Sequence, residues 1–132
     1  MSKKIRVLTA KMGLDCHDTA IVSLSQLLRD AGFEVIYLGL HNSAEKIIRL
    51  AQQEDVDIIG ISFLSGQHLV QTNKLMEQIK TENENFVVVV GGVIPKADIP
   101  KLLSMGVARV FTPGTMTKEV VEFIRENVQT AS

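Results

Sequence analysis

Residues 5–38, IRVLTAKMGLDCHDTAIVSLSQLLRDAGFEVIYL, change periodicity twice. Ile5 to Thr9 and Val35 to Leu38 are short apolar runs rich in β-branched residues, and they read as strands. Between them Ile21, Leu24, Leu27 and Leu28 recur at the spacing of one helical face, and Gly32 stands where that helix should end.

The same alternation continues to the end of the chain. Ile58 to Ser62, Phe86 to Val90 and Arg109 to Phe111 read as three further strands. Helical spacing returns in Ala44, Ile47, Ile48 and Ala51, then Leu69, Leu75, Met76 and Ile79, then Ile99, Leu102 and Leu103, and finally Val120, Val121, Ile124 and Val128. Ser43 and Thr117 stand as N-caps, Gly106 as a helix end and Pro100 in a first helical turn. Strands apolar on both faces call for a parallel sheet covered by helices on each side. Five such strands predict an α/β fold of the flavodoxin-like, Rossmann-like type: a doubly wound sheet in the order 2-1-3-4-5. Its ligand crevice lies at the carboxyl ends of strands 1 and 3.

At 132 residues and 45% hydrophobic content, residues 1–132 are expected to form a single domain. Fourteen basic residues face fifteen acidic ones, a net charge of −1, which disfavours nucleic acid and anionic membranes as partners. Trp is absent and Tyr37 stands alone, so base-stacking platforms are missing. Cys16 is the only cysteine, which excludes an internal disulfide and suits a reducing cytoplasm. The N-terminus passes straight into a strand without the pattern of a signal peptide, and the longest apolar run, Phe86 to Ile94, is too short to span a membrane. A cytoplasmic protein is expected.

With the fold so read, function belongs in the loops that leave the strands. The first, Met12 to Ala20, matches neither a P-loop nor a dinucleotide-binding turn. It carries Asp15 two residues before His17. A metal-bound imidazole commonly donates its other N–H to a carboxylate, so His17 can bind a metal that Asp15 helps orient, or the two can be a surface or capping pair. One imidazole does not hold a bare ion, which needs three or four protein donors. Either the motif is idle or the metal arrives in a macrocycle. Ser62-Phe63-Leu64-Ser65-Gly66 and Gly91-Gly92 end strands 3 and 4 with small or hydroxylated residues that leave room above the sheet. An ordinary strand-to-helix turn would also use such glycines.

The spacing of these three segments is more specific than any one of them. The chain resembles the cobalamin-binding domains whose signature is Asp-x-His-x-x-Gly, 41 residues, Ser-x-Leu, 26 to 28 residues and Gly-Gly; here Asp15 to Ala20 is followed by 41 residues to Ser62-Phe63-Leu64 and by 26 more to Gly91-Gly92. The likeness runs from about Ile5 to Val128. It implies that His17 is the lower axial ligand of cobalt in place of the cofactor's own benzimidazole, with Asp15 as its hydrogen-bonding partner. The displaced nucleotide arm would lie in a slot lined by Ser62, Leu64, Gly91 and Gly92, closed on its far side by the loop containing Gly114 and Thr115. Gly13 and Leu14 would set backbone against the corrin edge. Ala20 departs from the family's usual Gly and adds a methyl group where the first helix begins.

Within the family, Leu28 to Tyr37 and Gln53 to Ser62 look most like acyl-CoA mutases of the methylmalonyl-CoA type, including isobutyryl-CoA and 2-hydroxyisobutyryl-CoA mutases, in which this domain can be a separate small subunit. The resemblance implies adenosylcobalamin as cofactor, radical carbon-skeleton isomerisation as the reaction and a large TIM-barrel subunit as partner, because nothing in this chain resembles a coenzyme A site. The rivals are the small subunit of glutamate mutase, a corrinoid methyl-transfer protein and a non-catalytic cobalamin carrier. A phosphorelay receiver would need an Asp at the end of strand 3, where this chain has Ser62. A flavodoxin would need a hydroxyl-rich loop after strand 1.

Overall fold

In the computed structural model, which describes residues 4–12, 19–63, 66–112 and 117–128, strands and helices alternate along the chain. They are β1 (Arg6–Ala10), α1 (Thr19–Asp30), β2 (Glu34–Tyr37), α2 (Ala44–Gln53), β3 (Ile58–Phe63), α3 (His68–Thr81), β4 (Val87–Gly92), a 3-10 turn (Lys96–Asp98), α4 (Ile99–Ser104), β5 (Arg109–Phe111) and α5 (Thr117–Asn127). The strands are all parallel and ordered β2-β1-β3-β4-β5, the doubly wound, flavodoxin-like arrangement expected from the sequence.

Alternate residues of each strand feed two separate cores. Leu8, Ala10, Ile59, Ile61, Phe63, Val88 and Val90 pack with Ile47 and Ile48 of α2, Leu75 and Ile79 of α3 and Leu102 of α4. Val7, Ile58 and Val89 point the other way, onto Leu28 of α1 and Val120, Phe123 and Ile124 of α5. Having both faces covered is why β3 reads as an unbroken apolar run. Each fully buried aliphatic side chain contributes about 1.5–3 kcal/mol.

The caps follow local chemistry. Ser43 Oγ accepts the Lys46 N–H at 3.2 Å and opens α2, whose Ala44, Ile47, Ile48 and Ala51 form its buried stripe. Gly32 follows α1 at φ +99, a conformation that side-chain-bearing residues disfavour. Pro100 lies in the first turn of α4, while Thr117 is the first residue of α5 rather than the one before it. The strands differ in detail from the sequence expectation. β1 and β2 are each displaced by one residue, and β4 runs on through Gly91 and Gly92, which pair with Ser62 and Phe63. Hydropathy marks where side chains are apolar, whereas the ladder continues as long as backbone groups face each other.

One polar contact joins α3 to the segment entering α4. His68 Nε2 donates to Asp98 Oδ2 at 2.7 Å, and Lys101 Nζ lies 3.5 Å from Asp98 Oδ1. The His68 hydrogen bond and the Lys101 charge hold the Asp98 carboxyl below its usual range, against burial, which pushes it up. A lowered folded-state value means that this contribution is present above the unfolded aspartate value, about 3.9, and is lost as pH falls through the folded one. Asp98→Asn should therefore melt below wild type at neutral pH, and the gap should close below about pH 4. Thermal melts at the two pH values check this.

Candidate functional site

A parallel sheet sends every strand-to-helix loop out at one edge, here the carboxyl ends of β1, β3, β4 and β5. On the face covered by α1 and α5, that edge is built of small and polar residues. Thr9 faces Gly60 across the ladder, and Ser62 faces Gly91, which in turn faces Phe111 of β5. The opposite face is apolar through Ala10, Met12, Ile61 and Phe63. A Cβ built on Gly60 would lie 3.7 Å from Val89 Cγ2, and one on Gly91 3.5 Å from Phe111 O, ordinary contact distances. Methyl groups would fit at both positions, so their absence leaves a hollow near the strand ends.

Gly92 answers a different constraint. Its φ is +118, and a Cβ there would collide with Phe63 O and lie 2.8 Å from the Phe63 carbonyl carbon. The same oxygen accepts the Val93 N–H at 3.1 Å. The chain turns away from the sheet here only because the side chain is a hydrogen atom.

Beside the hollow stands a buried charge. Lys11 follows β1 and is 1% exposed, and its Nζ donates to Ser62 O at 2.9 Å with Ser62 Oγ at 3.4 Å. It holds the end of β3 against the start of the loop that carries Asp15 and His17. Asn42 secures the same point from the other side. Its backbone N–H and Nδ2 both donate to Lys11 O, at 3.1 and 2.9 Å, and Nδ2 also reaches Gly39 O at 2.9 Å. Asn42 Oδ1 is buried without a hydrogen-bond partner, an acceptor left at this edge. Lys11→Met should cost about 1–3 kcal/mol, because Ser62 O loses its charged donor in a buried setting. A shift in the denaturant midpoint measures it.

Of the residues expected at the site, the structure brings Ser62, Gly91 and Gly92 together on adjacent strands. Gly13, Leu14, Asp15, His17, Leu64, Gly114 and Thr115 lie outside the described residues, and Ala20 is described only as backbone in the first turn of α1. The undescribed segments 13–18, 64–65 and 113–116 follow β1, β3 and β5. A cleft at the opposite, amino-terminal edge is lined by Asp57, Glu84 and Glu126. Its carboxylates suit a phosphate-bearing ligand poorly.

Residues 5–122 match the family model of the B12 binding domain. The chain belongs to the B12-binding domain family. This B12-binding domain is 43% identical over 124 residues to the pivalyl-CoA mutase small subunit of Xanthobacter autotrophicus, covering 93% of this chain and 83% of that one. It is 39% identical over 125 residues to the 2-hydroxyisobutanoyl-CoA mutase small subunit of Aquincola tertiaricarbonis, covering 94% and 92%. Methylmalonyl-CoA mutase of Rhizobium meliloti is 33% identical over 130 residues, which are 98% of this chain but 18% of that protein. Among solved structures, a cobalamin-binding protein from Desulfitobacterium hafniense superposes with a TM-score of 0.83 at 20% identity, covering 96% of this chain and 60% of the other. A signal receiver domain from Mycobacterium tuberculosis superposes at 0.71 and 15% identity, covering 94% and 95%. At such identities these two likenesses concern the fold alone.

The B12-binding domain suits a corrinoid in one respect that its own residues display: Gly60, Ser62 and Gly91, without large side chains, leave room at the strand ends for a bulky arm. Sequence reading missed Lys11 and Asn42. A lysine at the end of an otherwise apolar strand, two residues beyond Thr9, was the available signal for the first. Asn42 gave none, because its bonds to Lys11 O join it to a residue 31 positions away that follows β1.

Proposed function

We propose that this B12-binding domain is the cobalamin-carrying small subunit of an adenosylcobalamin-dependent acyl-CoA mutase, working with a large TIM-barrel catalytic subunit. The observation that carries this reading is the near end-to-end match to two acyl-CoA mutase small subunits, beside a methylmalonyl-CoA mutase in which the matching segment is 18% of one longer chain. Bound adenosylcobalamin supplies the radical chemistry for the carbon-skeleton rearrangement.

The chain's part is to hold and orient. His17 would hold the cobalt, and Asp15 would fix the ring and its tautomer by accepting the other N–H. Ser62, Leu64, Gly91 and Gly92 line the slot for the nucleotide arm, with Gly114 and Thr115 on its far side, while Gly13, Leu14 and Ala20 border the corrin and the entry to α1. Lys11, bonded to Ser62 O, sets the slot wall relative to the loop of His17. Residues 1–132 act as a single domain in this reading, and a reducing cytoplasm suits Cys16. No described helix is long and apolar enough to cross a membrane.

The test is reconstitution. The chain is mixed with adenosylcobalamin and a large mutase subunit and assayed against pivalyl-, 2-hydroxyisobutyryl- and methylmalonyl-CoA. Turnover should need both proteins and the cofactor. Turnover by this chain alone, or no cobalamin binding at all, would refute the reading.

A further inference from the structure

We infer that His68 and Asp98 are positioning residues for the cofactor's nucleotide arm: a buried strap that sets the separation of the loops leaving β3 and β4. The inference rests on the slot reading above. The two strands run in register to their ends, Ser62 opposite Gly91 and Phe63 opposite Gly92, and one more backbone bond, Val93 N–H to Phe63 O, closes the ladder at 3.1 Å. Beyond it no further ladder pair is formed among the described residues. On one side the chain leads to α3 at His68, and on the other it passes through Ile94 and Pro95 to Asp98.

Past that last backbone bond, the 2.7 Å bond from His68 Nε2 to Asp98 Oδ2 reconnects the two arms. His68 is 6% exposed, and its ring meets the Phe63 ring edge-on with centroids 6.4 Å apart. Phe63 is the residue after Ser62, so the strap bears on the back of the slot wall while Ser62 faces the hollow. The ring's other nitrogen, Nδ1, is buried without a hydrogen-bond partner, as is Thr72 Oγ1 one helical turn on. A single polar bond therefore fixes the ring, and removing Asp98 leaves only packing to hold it. Lys101 steadies the carboxylate from the exposed side.

A strap of this kind affects a ligand that enters the slot and not one that stops above it. Cobinamide, a corrinoid without the nucleotide arm, supplies the comparison. Dissociation constants for cobalamin and cobinamide are measured by absorbance titration of the full chain, for wild type and for His68→Leu, His68→Gln and Asp98→Asn. Wild type should prefer cobalamin. His68→Leu should weaken cobalamin binding about tenfold or more, the scale of one buried charge-assisted hydrogen bond, and cobinamide binding less than about twofold. His68→Gln keeps an N–H donor and should recover part of the loss. The axial-ligand absorbance at saturation should be unchanged in all variants, since His17 lies in another loop.

Equal losses for both corrinoids, or no loss for either, in a wild type that prefers cobalamin would overturn the strap alone. A wild type that binds the two equally would overturn the slot reading, and the strap with it. Should His68→Leu fail to fold, Asp98→Asn and His68→Gln decide the matter by the same ratio.

Discussion

His17→Ala should leave the chain folded and abolish the His-on absorption signature of its complex with adenosylcobalamin. A methyl group cannot donate an electron pair to cobalt, and the chain has only two other histidines to take its place. His68 is bound to Asp98 on the apolar side of the sheet, and His41 lies beyond β2 with φ +59. The loss should be complete rather than graded. Asp15→Asn should keep the signature and weaken cofactor binding by about 10- to 100-fold, the usual effect of removing a carboxylate behind a metal-bound imidazole. Acid should act in the same direction, because a protonated ring has no lone pair to give. A His17→Ala protein that retains the signature would remove the basis of the proposed ligation.

Gly92→Ala should produce the other large effect, on the fold itself. The added methyl would be forced into the Phe63 carbonyl, a backbone atom of the neighbouring strand that already accepts the Val93 N–H. Its φ of +118 is one that alanine adopts only under strain. We expect a loss of about 3 kcal/mol or more, which for a domain of this size is a drop in Tm of about 10 °C or more. Gly60→Ala and Gly91→Ala give the contrast, because their methyls would sit at 3.7 and 3.5 Å from the nearest atoms. Both should melt close to wild type and bind cobalamin less well, since they fill the hollow. If Gly92→Ala melts like wild type, the close approach of β3 and β4 at this point is wrong.

That contrast shows what a sequence conceals. Gly60, Gly91 and Gly92 are equivalent letters, and only the register of β3 against β4 separates two positions with room from one with none. The strap is hidden for a similar reason: His68 and Asp98 stand 30 residues apart, on different helical segments, and nothing in their spacing announces a contact. Lys11 was half visible. Its place after an apolar strand marks it as unusual, but its bond to Ser62 depends on β1 lying beside β3.

The sequence alone was sufficient for the architecture and for the family. Apolar periodicity is a local property, so five strands and five helices can be located from it. The order 2-1-3-4-5 follows from how such units wind, and the separations between Asp15, Ser62 and Gly91 can be counted without coordinates. Tertiary structure alone decided which face of the sheet is hollow, which glycine is obligatory and which buried polar groups brace the edge. Those properties belong to pairs of residues far apart in the chain, and their energies depend on distances of a few ångströms that exist only once the strands are paired.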